Sequence, residues 1–381
     1  MTGLRGIFSE FSGAFADLGT FLPIVLAILS LHQMDPSGLL LGFGIFALAV
    51  AVIYRRPVPV QPMKVVAAVV ITSQLSAAMI AATGLLIGGV LLILGCLGWI
   101  NRLAEKVPQT LLQGIQMGVG LYLAWAGLKL MSDQWMIGLT LFLIVLILQR
   151  TRLSSYVVLG IVIGFAAWSL FSEAQSPTLN PGIYWPQPVA IHLQDLWQAT
   201  TDVLLPQLAL TLTNAVLATA AIASDLFPAD RARITPQRLA LSTGGLNLLL
   251  APFGAFPMCH GAGGLVVQHR FGARTGLAPA IFGLSCLALG LFLGPDALKL
   301  LELLPLPAVG ALLAVAGIHL ALSRKLLHTE GRRLAVILTT ALGCVLFNVA
   351  VGLVIGLLAE FLRRLYDKQR QTKPSNKNGI Y

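Results

Sequence analysis

Two short stretches of an otherwise apolar chain hold residue types that can do chemistry. The first, "VPVQPMKVVAAVV" (Val58 to Val70), carries Gln61 and Lys64. The second, "GAFPMCHGAGGLV" (Gly254 to Val266), carries His260, Gly261, Gly263 and Gly264. Lys64 brings a full positive charge, Gln61 an amide donor, and His260 a ring that donates and takes up a proton near neutral pH. The glycines let a ligand come close to backbone N–H groups. A set so rich in donors and positive charge suits a tetrahedral oxyanion better than a cation or an apolar solute. Asp17, in "FADLGT", is an acid placed to pair with Lys64 or to carry a proton for coupling, a role His260 shares. Cys259 and His260 have no further ligand cluster near them, and the four cysteines are widely spaced, so neither a metal nor a disulfide framework is expected. No cofactor motif, P-loop or nucleophile–base pair stands out, which argues against an enzyme and against an ATP-driven pump.

The elements that must position these residues are membrane helices. Of the 381 residues, 57% are hydrophobic and only 10% charged, against about 25% charged in soluble proteins. Apolar segments follow one another with short polar breaks, and fourteen are expected. They include 12–31, 63–80, 155–172, 203–223, 258–270, 334–345 and 347–362, the last two of which are short enough to merge. With the N-terminus inside, 22 of the 25 basic residues fall on the cytoplasmic side. This distribution predicts a multi-pass protein of the cell (inner) membrane with both termini in the cytoplasm. It also accounts for the net charge of +10 without nucleic acid. Asp17 interrupts the first apolar run, so no cleaved signal peptide is expected.

A polar loop divides the chain. Residues 1–172 form a first repeat of seven spans, 173–202 an extracytoplasmic connection, 203–362 a second repeat of seven, and 363–381 a short cytoplasmic tail. An odd number of spans per half makes the halves inverted. The two motifs support this, because each lies in the third span of its half and Pro62-Met63 aligns with Pro257-Met258. Asp17 then aligns with Asn214; the separations are 45 residues from Asp17 to Pro62 and 43 from Asn214 to Pro257. The residues before each proline are biased to extended backbone, and proline suits a first helical turn. The pattern therefore predicts short extended segments, "PVPVQ" and "PFGAF", each running into a half-helix. The facing N-termini of segments 3 and 10 would form an anion site, with Lys64 and His260 at equivalent places.

The segments "FSGAFADLGTFLPIVLAI", "PVPVQPMK" and "PMCHGAGGLVVQHRFGARTG" resemble the signatures of the molybdate transporter family, within the sulfate permease superfamily. The resemblance implies an all-α fold of seven plus seven spans shared with uracil permeases, in which a core domain moves against a gate domain and substrate lies between the third and tenth spans. It points to Gln61, Lys64, His260, Gly261 and Gly263 as binding residues, with Asn214 and His260 where nucleobase carriers keep coupling acids. The expected function is secondary active import of molybdate. Carriage of sulfate or another oxyanion, and an anion channel, stand as alternatives. The expected partners are the oxyanion, the lipid bilayer and a second copy of the chain.

Overall fold

The computed structural model describes residues 4–30, 34–73, 75–148, 178–302, 305–322, 329 and 331–372. The seventh expected span (155–172) and the tail from 373 lie outside the described residues. The described chain is mostly helical. Its helices are α1 (Leu4–Ala14), α2 (Leu18–Ser30), α3 (Pro36–Tyr54), α4 (Lys64–Ser73), α5 (Ala77–Cys96), α6 (Ile100–Lys106), α7 (Gln109–Met131), α8 (Trp135–Leu148), α9 (Leu193–Leu226), α10 (Pro236–Leu250), α11 (Ala262–Arg270), α12 (Leu277–Phe292), α13 (Asp296–Glu302), α14 (Leu306–Ala321), α15 (Arg332–Leu346) and α16 (Val349–Thr372).

Among the described residues, the helical stretches long and apolar enough to cross a membrane singly are α3, α5, α9 and the 40-residue run from Gln109 to Leu148. The expected first span, 12–31, is instead a bent pair: α1 and α2 meet at 41° around Asp17. The Asp17 carbonyl accepts from the Thr20 and Phe21 N–H groups at the start of α2, so its carboxylate is presented at the break. The expected eighth span starts earlier than 203, within the predicted loop, because α9 runs from Leu193 as a 34-residue helix. It contains wide-turn segments at Thr200–Leu204 and Thr211–Ala218. The last two segments stay separate, α15 ending at Leu346 and α16 starting at Val349.

The helices pack through small residues. Gly114 and Gly118 set α7 against Thr340 and Cys344 of α15. Gly120 and Gly127 lie backbone to backbone with Gly317 and Gly310 of α14. With lipid on the outside there is little hydrophobic gain in helix–helix contact, so close approach and dispersion hold such interfaces. At one end of the bundle Arg56 pairs with Asp230 at 2.5 Å and stacks over Phe227, joining the segment after α3 to the one after α9.

A β-carbon at Gly317 would strike the backbone of Gly120 and Ala124, whereas one at Gly89, inside α5, would meet nothing. Gly317→Leu should therefore cost about 1–3 kcal/mol or more, and Gly89→Ala should gain up to about 1 kcal/mol. Thermal unfolding in detergent compares them. Equal melting temperatures would contradict the close α7–α14 contact.

Candidate functional site

The two motifs meet. Gln61–Pro62 (β1) and Met258–Cys259 (β2) form an antiparallel pair, Gln61 opposite Cys259 and Pro62 opposite Met258. The Met63 N–H continues it by donating to the Pro257 carbonyl at 3.0 Å. The outer edge of β2 is closed by a side chain. Asn247, buried on α10, accepts from the Met258 N–H at 2.8 Å and donates to the Met258 carbonyl at 2.7 Å, as a neighbouring strand would.

The motifs lead into their helices differently. Pro62 stands in β1 and Lys64 opens α4 directly, whereas Pro257 precedes a strand and α11 does not begin until Ala262. Gly261, with extended backbone (φ −123°, ψ 116°), caps it. "PFGAF" is likewise not extended throughout, because Ala251–Phe253 make a tight helical turn that Gly254 ends at φ 75°. His260 is therefore not the counterpart of Lys64, since it lies ahead of a helix rather than in its first turn.

The expectation that His260 donates to an anion meets a ring already in use. It is 1% exposed. Nδ1 lies 3.2 Å from the Pro59 carbonyl, which can only accept, so Nδ1 carries the proton. Nε2 then accepts from Ser242 Oγ at 3.1 Å, and Ser242 is 2.6 Å from the Tyr54 hydroxyl. Phe46 and Tyr54 pack edge-on against the imidazole. The ring ties β2 to α3 and α10.

Lys64, Gln61 and Asp17 form a relay. Lys64 Nζ donates to Gln61 Oε1 at 3.2 Å, and Gln61 Nε2 donates to Asp17 Oδ2. The lysine and the aspartate are thus coupled through an amide. Lys64 and Asp17 are half-buried, and Gln61 is buried. The relay lies against the start of α11. A β-carbon at Gly261 would overlap the Gln61 amide, and one at Gly264 would press on both Asp17 and Gln61. These two glycines thus make room for side chains of the protein. Gly263 differs, for it is exposed and a β-carbon there would meet nothing. Asn214 is half-buried in the second wide-turn segment of α9, and its side chain makes no hydrogen bond among the described residues.

The two helix starts also differ in what satisfies them. At α4, the Val65 and Val66 N–H groups donate to Oε1 of Gln207, a buried residue of α9, at 2.9 and 3.4 Å. At α11 no side chain caps the helix, and its first backbone bond runs from Leu265 N–H to Gly261 O at 3.1 Å. The N–H groups of Ala262, Gly263 and Gly264 thus have no acceptor among the described residues. Gln207 and Asn247 lie outside both motifs. Their signal was a lone amide side chain in an apolar helix, in "LLPQLAL" and "GGLNLLL".

The profile of a family described as "Molybdate transporter of MFS superfamily" matches residues 9–123 and 199–320, which take in both motifs. The chain belongs to this molybdate transporter family. Its relatives include Molybdate transporter 1 of Arabidopsis thaliana, 30% identical over 92% of this chain and 87% of the relative. Molybdate transporter 2 of the same plant is 29% identical over 94% and 87%. Molybdate transporter 1 of Chlamydomonas reinhardtii is 28% identical over 92% and 90%. The fold is that of the transmembrane domain of a cyanobacterium bicarbonate transporter, BicA, with TM-score 0.66 and 16% identity over 93% of this chain and 98% of that one. SLC26A9 shares it, with TM-score 0.69 and 12% identity over 95% of this chain and 66% of that one. This member of the molybdate transporter family is thus a polytopic membrane transporter, not an enzyme.

The glycines separate structural from open positions. Gly264→Ala should cost about 1–3 kcal/mol, because the methyl group strikes the Asp17–Gln61 pair. Gly263→Ala should be neutral or gain up to about 1 kcal/mol. Thermal melts in detergent decide it, and a larger loss at Gly263 would contradict this packing.

Proposed function

We propose that this transporter imports molybdate as a secondary carrier and binds the oxyanion at the start of α11, beside Lys64. The observation that carries this reading is the uncapped glycine-led helix start, its open side at Gly263, with the lysine relay packed on its neighbour Gly261. Free N–H groups and the helix dipole attract an anion, and Lys64 adds a full charge. The 10 residues of α4 and 9 of α11 span about 13–15 Å each, half of a ~30 Å apolar layer. Two half-crossings that start near the middle of a fourteen-span inverted repeat fit this reading, as does an inner-membrane protein with both ends in the cytoplasm. The names of the relatives favour molybdate over sulfate, which the same donors would also hold. A channel would use the same cavity and is told apart by large unitary currents in place of saturable uptake.

In this proposal Gln61, Lys64, Gly263 and Asn214 face the anion, while Gly261 and His260 hold the site in shape. Lys64→Ala should leave the folded protein intact and weaken molybdate binding by about 2–5 kcal/mol, the usual cost of removing one partner of a buried charge pair. Calorimetry with molybdate and sulfate measures it. Unchanged affinity would remove Lys64 from the site.

Proton coupling falls to Asp17, since both nitrogens of His260 are engaged. Besides Lys64 the groups around its carboxylate are uncharged: Gln61 of β1, Thr20 of α2 and Gly264 of α11. Protonating Asp17 removes a negative charge near the anion and leaves that of Lys64 uncompensated, so affinity should rise as pH falls. Affinity measured from about pH 8 to 5.5 should show this in the parent protein and lose it in Asp17→Asn. A flat parent profile would point to uniport or another coupling ion.

A further inference from the structure

The α4 helix start is mostly taken up by the protein itself, and of its first-turn N–H groups only that of Lys64 has no acceptor among the described residues. Gln207 Oε1 takes the N–H groups of both Val65 and Val66, the Met63 N–H goes to Pro257, and the Ala67 N–H goes to Met63 at 2.9 Å. The amide of Gln207 is held in place from its other end, because Nε2 donates to Thr211 Oγ1 at 2.8 Å, and both residues are 1% exposed. A neutral oxygen with partial negative charge thus occupies the place that an anion would take on this helix end. Among the described residues the start of α11 has no such occupant.

We infer that Gln207 is a specificity-determining residue, which withdraws the α4 end from substrate binding and leaves an oxyanion one helix end and one lysine. This rests on the reading of the site given above. The consequence follows from hydration. A smaller tetrahedral dianion such as sulfate holds water more tightly than a larger one such as molybdate. Entering a site with few donors therefore costs the smaller ion more than it regains. Two open helix ends would offset that loss, whereas one end favours the larger ion. Gln207 is in this sense a built-in competitor for the second end, and it biases the site toward the larger, less tightly hydrated ion without touching it.

The test measures molybdate and sulfate affinity by calorimetry, and thermal stability, on the purified full chain and two variants. Gln207→Glu keeps an acceptor for Val65 and Val66, and its charge suits a helix start. Burial of the charge should lower its melting temperature, an effect the helix start offsets in part, while at pH 8, with the carboxylate ionised, both dianions should bind at least about tenfold more weakly through like-charge repulsion in a low-dielectric site. Gln207→Ser leaves the two N–H groups free, and the molybdate-to-sulfate affinity ratio should fall by about tenfold. A merely structural glutamine would change stability in step with both affinities and leave their ratio constant. Parent-like affinities in Gln207→Glu, or a constant ratio in Gln207→Ser, would overturn the inference while leaving the proposed site standing. Failure of the parent chain to bind either ion would remove both.

Discussion

Backbone groups inside an apolar layer find no water, so any interruption of a helix there must be repaired by the protein. In the proposed reading, the described segments 55–63 and 251–261 are two such interruptions, and the rest of the site follows from their repair. The two interrupted segments pair with each other as β1 and β2, so that each answers part of the other's need. The remaining groups are met by amide side chains, Asn247 along the edge of β2 and Gln207 at the start of α4. An unpaired buried backbone group costs about 1–3 kcal/mol, so these two residues are as necessary to the arrangement as the strands are. Among the described residues the larger part left unrepaired is the start of α11, where the Ala262, Gly263 and Gly264 N–H groups are open, and that is where the binding proposal sits.

The electrostatics of the site depend on the same packing. Lys64 is half-buried, and its Nζ is tethered by Gln61, whose amide is in turn held by Asp17. The tether lies over Gly261 and Gly264, which have no side chains to push it away. A positive charge, an uncapped helix end and an open approach at Gly263 therefore share one corner of the fold. The carboxylate that balances the lysine is reached through an amide rather than by direct contact. A change of charge on Asp17 can thus alter the field at the lysine while the lysine stays in place.

Much of this was legible in the sequence, and what was not has a physical reason. Composition and hydropathy point to a polytopic membrane protein, and the motifs identified the family and brought Gln61, Lys64 and Asp17 to the centre. The aligned prolines suggested equal helix starts. Proline position alone does not register the extra extended residues His260 and Gly261, which delay α11 and turn the histidine into the scaffold. A histidine reads the same whether its nitrogens face a cavity or a carbonyl such as that of Pro59, and only the fold distinguishes the two. Gly261 and Gly263 look alike in a row of glycines, yet one shelters a side chain and the other opens outward. Gln207 was hidden because its partners, Val65 and Val66, lie in the other half of the chain. The expected first span, 12–31, runs straight through the bend at Asp17, because that bend is made by backbone turns that leave the apolar composition unchanged.

The central claim is that one helix end, that of α11, takes the anion. The measurement that tests it most directly is a crystal structure of the protein soaked with tungstate, with the metal located by its anomalous scattering. A peak is expected next to the Gly263 N–H and within hydrogen-bonding reach of Lys64 Nζ through an oxyanion oxygen. Gln207 should still be bound to Val65 and Val66. A peak at the start of α4 with Gln207 displaced, or one far from both helix starts, would contradict it.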